Sequence, residues 1–239
     1  MASQHLAAHG WVVFEDVFPR QQAQELAQLT HKLATEQMDQ SLSALAEGRG
    51  ISRRQAQQLL ARAVEGDSEA LMQVQSVSGG SHRWYGGVGG AAVSPESFDP
   101  DVGADGRMAP RKLENAYEKD ERFRAVVHSE ELLSLAWQLL GGEKPPTTHG
   151  SQLFTKAPGV GSVKPRHQDN YYFRYKIDDH LLTCWVALDD ADEGNGCMRF
   201  IDGSHKKGLV PHDRDPTRAT YLVARVATVT AACSTSSLL

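Results

Sequence analysis

Three consecutive residues, His167-Gln168-Asp169, offer chemistry at the right spacing. On an extended strand, residues two apart point to the same side, so an imidazole and a carboxylate would face one metal ion from a single backbone segment. Such a pair is two thirds of the 2-His-1-carboxylate facial triad, which holds non-haem Fe(II) and leaves positions open for other ligands. The bland alternative is an ordinary hydrogen-bonded surface pair, and at this point both readings stand. His128-Ser129-Glu130 has the same spacing but lies in a helical pattern, where i and i+2 diverge, and is set aside.

Something must hold that segment. Trp11–Phe14 is a short apolar run suited to a strand. Pro19 then opens a helical pattern in which Leu26, Leu29 and Leu33 share a face. Ser52-Arg53-Arg54-Gln55 is a capping-box arrangement ahead of Leu59 and Leu60, and Gly66 is the expected stop. Gly79–Pro110, rich in Gly and Pro, reads as a long loop with a short strand at His82–Tyr85. A third helical region is predicted over Glu121–Leu140, ended by Gly141-Gly142.

After Pro146 the pattern changes to short strands with turn punctuation: Gly150–Lys156, Arg166–Phe173, Leu181–Leu188 and Cys197–Ile201. Helices first and regularly spaced strands after predict an α+β fold, with a β-barrel or double-sheet core wrapped by N-terminal helices. Tyr221–Thr230 is a further candidate strand. Beyond Arg225 the chain carries no charge and runs out in small residues.

Composition narrows the classes. The 239 residues are 40% hydrophobic and 23% charged, enough for one good-sized core. A net charge of −5 does not favour nucleic acid. No stretch reaches the ~20 apolar residues of a membrane span, and Met1–Gly10 has no secretory pattern. Cys184, Cys197 and Cys233 are odd in number and lack a CxxC spacing, so neither a disulfide framework nor a cysteine zinc site is expected. The default setting is intracellular, with the cytoplasm as first expectation.

In order along the chain stand His9–Phe18 (HGWVVFEDVF), Ser151–Gly159 (SQLFTKAPG), Pro165–Asp169 (PRHQD), Thr183–Ala191 (TCWVALDDA), Asn195-Gly196-Cys197 and Ile201–His205 (IDGSH). Together these segments resemble the phytanoyl-CoA dioxygenase family. The resemblance implies a double-stranded β-helix, a cupin-like jelly roll. It also implies Fe(II) as metal, with 2-oxoglutarate and O2 as co-substrates. By that resemblance His167 and Asp169 are metal ligands, Gln152, Trp185 and Lys112 are co-substrate contacts, and Tyr171, Tyr172 and Phe173 border a small-molecule substrate. The expected reaction is hydroxylation of a small organic or lipid-like substrate, and a carboxylate at 169 favours it over halogenation.

The family pattern also calls for a second histidine on a late strand and an arginine on the next, the latter forked onto the far carboxylate of 2-oxoglutarate. Downstream of His167 stand only His180, His205 and His212, and none falls at that place. The expectation is therefore one oxygenase domain over 1–219, a jelly roll incomplete at its C-terminal end, and an atypical tail over 220–239. Truncation, alternative splicing or a frameshift would account for the tail. Two other readings are a non-catalytic jelly-roll module derived from such an oxygenase, and a cupin-like zinc or manganese isomerase.

Overall fold

The computed structural model describes residues 1–77, 98–102, 108–176, 181–215, 218–225 and 231–233. Its spine is the helix α2 (Arg20–Arg49), which follows a short α1 (Ala2–His9). At about 1.5 Å per residue, the 30 residues of α2 reach about 45 Å. Ala23, Leu26, Leu29, Ala34, Leu42 and Leu45 recur at helical spacing and are buried. Gly50, left-handed at φ 63°, closes the helix and donates its N–H to Ala46 and Glu47.

The capping box read from sequence is present. Ser52 accepts from the Gln55 N–H, and the Gln55 side chain reaches back to the Ser52 N–H, opening α3 (Arg53–Glu65). With α4 (Ser68–Val77), this region builds the first core around Leu45, Leu60, Ala63 and Val74. Phe98 of β1 (Phe98–Val102) and Met108 of β2 (Met108–Pro110) complete it. Leu45 and Leu60 are 0% exposed, and each such side chain contributes about 1.5–3 kcal/mol on burial.

A second core lies nearer the start of α2. Leu26 and Leu29 meet Ala116 of α5 (Ala116–Lys119) and Phe123 and Val126 of α6 (Glu121–Val127), and Leu153 packs against them. Leu153 belongs to β4 (Gln152–Phe154), which pairs antiparallel with β3 (Lys112–Glu114). The long helix thus fixes where the β3–β4 ribbon lies. The helical region predicted over 121–140 is broken at His128, because Ser129 caps a new helix, α7 (Glu130–Leu140), by accepting from the Leu132 N–H.

The second half departs further from expectation. The predicted strand 166–173 is a short helix, α8 (Asp169–Phe173), and 181–188 is open chain. Trp11–Phe14 is likewise open chain. Strand Arg199–Ile201 (β5) pairs with Ala231–Cys233 (β8), and His212–Asp215 (β6) with Arg218–Ala224 (β7). Among the described residues the strands form four two-stranded sheets, and jelly-roll closure is not among these pairings. The fold is mixed helix and strand, as α+β requires.

Cys197 is disulfide-bonded, against the expectation from spacing, while Cys184 is free. Proximity in the fold, invisible in sequence spacing, decides such a bond. The predicted strand at 82–85 falls outside the described residues. No described helix is long and apolar enough to cross a membrane.

A candidate metal site at His167 and Asp169

The segment leading to the site descends from β4. Thr155 donates its N–H to the Arg111 carbonyl at 2.9 Å, and Gly159 turns the chain at φ 76°. The segment then runs beside the β6–β7 hairpin, where Ala224 donates its N–H to the Arg166 carbonyl at 2.9 Å. Gln168 is extended (φ −107°, ψ 126°), and Asp169 opens α8. Asn170 ends that helix by bonding both backbone groups of Tyr175, with Arg174 left-handed at φ 57°.

His167 and Asp169 come together although they do not share a strand. His167 Nε2 lies 3.3 Å from Asp169 Oδ1. On the other side of the ring, Nδ1 lies 2.7 Å from the Pro165 carbonyl. A carbonyl only accepts, so Nδ1 carries the hydrogen, and in the neutral ring Nε2 holds a lone pair. Lone pair and carboxylate oxygen then face each other, an arrangement that calls for a proton or a cation between them. A backbone carbonyl on the far nitrogen is also how metal-bound histidines are commonly oriented. The donor set therefore fits a divalent metal as two of its ligands.

Asp169 is held at its other oxygen, where Thr183 Oγ1 donates to Oδ2 at 2.9 Å. Its carboxyl lies below the usual range, first because of His167 and also because of Thr183 and the nearby Lys164 charge, with burial opposing. The Lys164 ammonium stands 4.1 Å from the Tyr221 ring centroid and 5.2 Å from that of Tyr172. Tyr172 meets the His167 ring edge-on at 5.4 Å.

His212 is the neighbour that spacing did not bring forward. Its Nε2 accepts the Gln168 N–H at 2.9 Å, and its Nδ1 donates to the Val210 carbonyl at 2.9 Å. It stacks on Tyr171 at 4.1 Å and is 8% exposed. Burial lowers its pKa, and the bond to the Val210 carbonyl opposes that. Among the described residues, no group of three His, Cys, Asp or Glu side chains stands ready for a metal.

The other predicted residues are spread more widely. Tyr171, Tyr172 and Phe173 lie on α8, and Phe173 faces His149 at 6.3 Å. Gln152 is half-buried in β4, opposite Glu114. Lys112 is 5% exposed and pairs with Glu114 at 2.9 Å. Trp185 is 41% exposed, so it is not a core residue. His205 is structural, as its Gly-Ser-His turn suggests: it bonds the Ala7 carbonyl at 3.1 Å. Thr183 and Gln168 were missed as site residues and His212 was weighed only as a distal ligand and set aside, although Thr183 opens one of the family-like segments. Its 14-residue distance from Asp169 carries no periodic signal.

The phytanoyl-CoA dioxygenase family model matches residues 6–227, most of the chain. This chain belongs to the phytanoyl-CoA dioxygenase family. Members are generally Fe(II)- and 2-oxoglutarate-dependent dioxygenases, which agrees with the donor pair just described. The chain is 33% identical over 105 residues to the peroxisomal phytanoyl-CoA dioxygenase of Mus musculus, covering 43% of this chain and 30% of that protein. It is 37% identical over 94 residues to the phytanoyl-CoA dioxygenase of Arabidopsis thaliana, covering 39% and 32%. A phytanoyl-CoA dioxygenase domain-containing protein 1 homolog of Caenorhabditis briggsae is 32% identical over 87 residues, 36% of this chain and 30% of that one. The matched stretches thus span about a third of these relatives' lengths. No solved structure matches.

Proposed function

We propose that this chain is the oxygenase domain, or part of it, of an Fe(II)- and 2-oxoglutarate-dependent dioxygenase that hydroxylates a small organic or lipid-like substrate. The observation that carries this reading is the 3.3 Å approach of His167 Nε2 to Asp169 Oδ1, with Nδ1 turned to the Pro165 carbonyl. His167 and Asp169 would hold the iron. When bound, the iron supplies oxidation of a C–H bond at the expense of 2-oxoglutarate and O2, yielding succinate and carbon dioxide.

The chain's own side chains have defined tasks in this reading. The Pro165 carbonyl keeps the His167 proton on Nδ1, leaving Nε2 for the metal. Thr183 fixes the Asp169 carboxylate through Oδ2, and Lys164 favours its ionised form. Gln152, Trp185 and Lys112 would contact 2-oxoglutarate. Tyr171, Tyr172 and Phe173 would border the substrate, with the wall at Phe173 extended by His149.

The test is succinate formation from 2-oxoglutarate with Fe(II), ascorbate and oxygen, beside an Asp169→Ala control. Turnover abolished by the substitution supports the reading. Its absence in a folded chain supports a second reading, a non-catalytic jelly-roll module derived from such an oxygenase. That second reading draws on His212, whose Nε2 is already taken up by the Gln168 N–H.

A further inference from the structure

Gln168, between the two proposed ligands, does something the chemistry of the pair does not require. Because it is extended, its side chain leaves the backbone on the opposite side from those of His167 and Asp169. There its amide grips a distant segment at both ends. Nε2 donates to the Gly208 carbonyl at 2.8 Å, and Oε1 accepts the Val210 N–H at 2.8 Å. The pair of bonds imitates one rung of a β-ladder with side-chain atoms. The Gln168 backbone N–H completes the grip by donating to His212 Nε2 at 2.9 Å.

His212 is itself tightly oriented. Its Nδ1–H is committed to the Val210 carbonyl, its ring is stacked on Tyr171, and it is 8% exposed. Tyr171 follows Asp169 by two residues on α8. His212 thus touches the backbone just before Asp169 and a side chain just after it. Both ends of the short stretch 168–171 are tied to the same ring.

We propose that Gln168 and His212 are positioning residues that fasten the His167–Asp169 segment to residues 208–212 and so hold the two donors in register for the metal. The inference rests on the metal-site reading above. It also accounts for a detail of residue type. A glutamate at 168 could accept from Val210 but would set a carboxylate against the Gly208 carbonyl. A leucine at 212 would leave the Gln168 N–H without its acceptor.

The experiment uses the whole chain with Co(II) as the probe, titrated by visible absorption. The set is wild type, Gln168→Glu, His212→Leu, His212→Gln and Asp169→Ala. Loss of partners that orient metal ligands typically lowers affinity about 10–100-fold. That loss is expected for Gln168→Glu and His212→Leu. His212→Gln, whose Oε1 can replace the Nε2 acceptor, should recover most of it. A merely structural role would lower the melting temperature of both His212 variants alike and leave Co(II) affinity unmoved, which would overturn the proposal. A second arm needs no metal: hydrogen exchange at the Gln168 amide should be slow in wild type and His212→Gln and fast in His212→Leu. Equal exchange in all three also overturns it. Co(II) binding unaffected by Asp169→Ala would instead sink the metal-site reading, and the exchange arm would still decide whether the clasp exists.

Discussion

Thr183 is the residue whose removal tests the site most directly. Its hydroxyl donates to Asp169 Oδ2 at 2.9 Å, leaving Oδ1 to face His167. A hydrogen bond to an ionised group contributes about 1.5–3 kcal/mol when dry. The Asp169 side chain is 43% exposed, so water replaces part of that. The lower end, about 1.5 kcal/mol, is the appropriate figure, and it corresponds to roughly tenfold in affinity. Thr183→Val keeps the shape and removes the hydroxyl. Two effects are expected. Co(II) binds about tenfold more weakly, and the Asp169 carboxyl titrates at higher pH because one of the bonds lowering its pKa is gone. Carboxyl-carbon NMR of the metal-free chain reads the second effect. If Thr183→Val matched wild type in both while Asp169→Ala lost the metal, the hydroxyl would not be what orients the carboxylate.

Other perturbations reach the same architecture from further away. His212 has a pKa below the ordinary histidine value, so the unfolded chain takes its proton first as pH falls. Its contribution is full above about pH 6.5 and is lost as pH falls from there through the lowered folded value; His212→Gln should flatten that part of a stability–pH curve. Leu60→Ala empties a position that is 0% exposed, with an expected cost of about 2–5 kcal/mol in denaturant unfolding. Gly10 is left-handed at φ 86°, and a β-carbon there would run into the His205 ring. Gly10→Ala should therefore loosen α1, seen as faster amide exchange at Gly203, whose N–H is bonded to the His9 carbonyl at 2.8 Å. Asp120, held by Arg122 at a pKa of about 2, caps α6, and Asp120→Ala should cost about 0.5–2 kcal/mol by thermal melting.

What the sequence by itself determined is local. The leucine spacing of α2, the Ser52–Gln55 box of α3 and the stop at Gly66 follow from interactions within a few residues, so they could be read along the chain. The convergence of His167 and Asp169 was legible for the same reason, and it survived a wrong assignment of their backbone. An extended Gln168 is enough to put its two neighbours on one side, whether or not a strand follows. The aromatic run Tyr171–Phe173 misled because strand propensity in such residues reflects the surface they pack on, and here that surface is His212, His167 and His149. Tertiary structure alone decided what holds the donors. Thr183 is 14 residues from Asp169, and His212 is 44 from Gln168. Hydrogen bonds over such separations have no period and no motif. The His212 bond exists because the β6–β7 hairpin lies against the 165–168 segment, where Ala224 bonds the Arg166 carbonyl, and the Thr183 bond because the open chain at 183 is brought back to the start of α8.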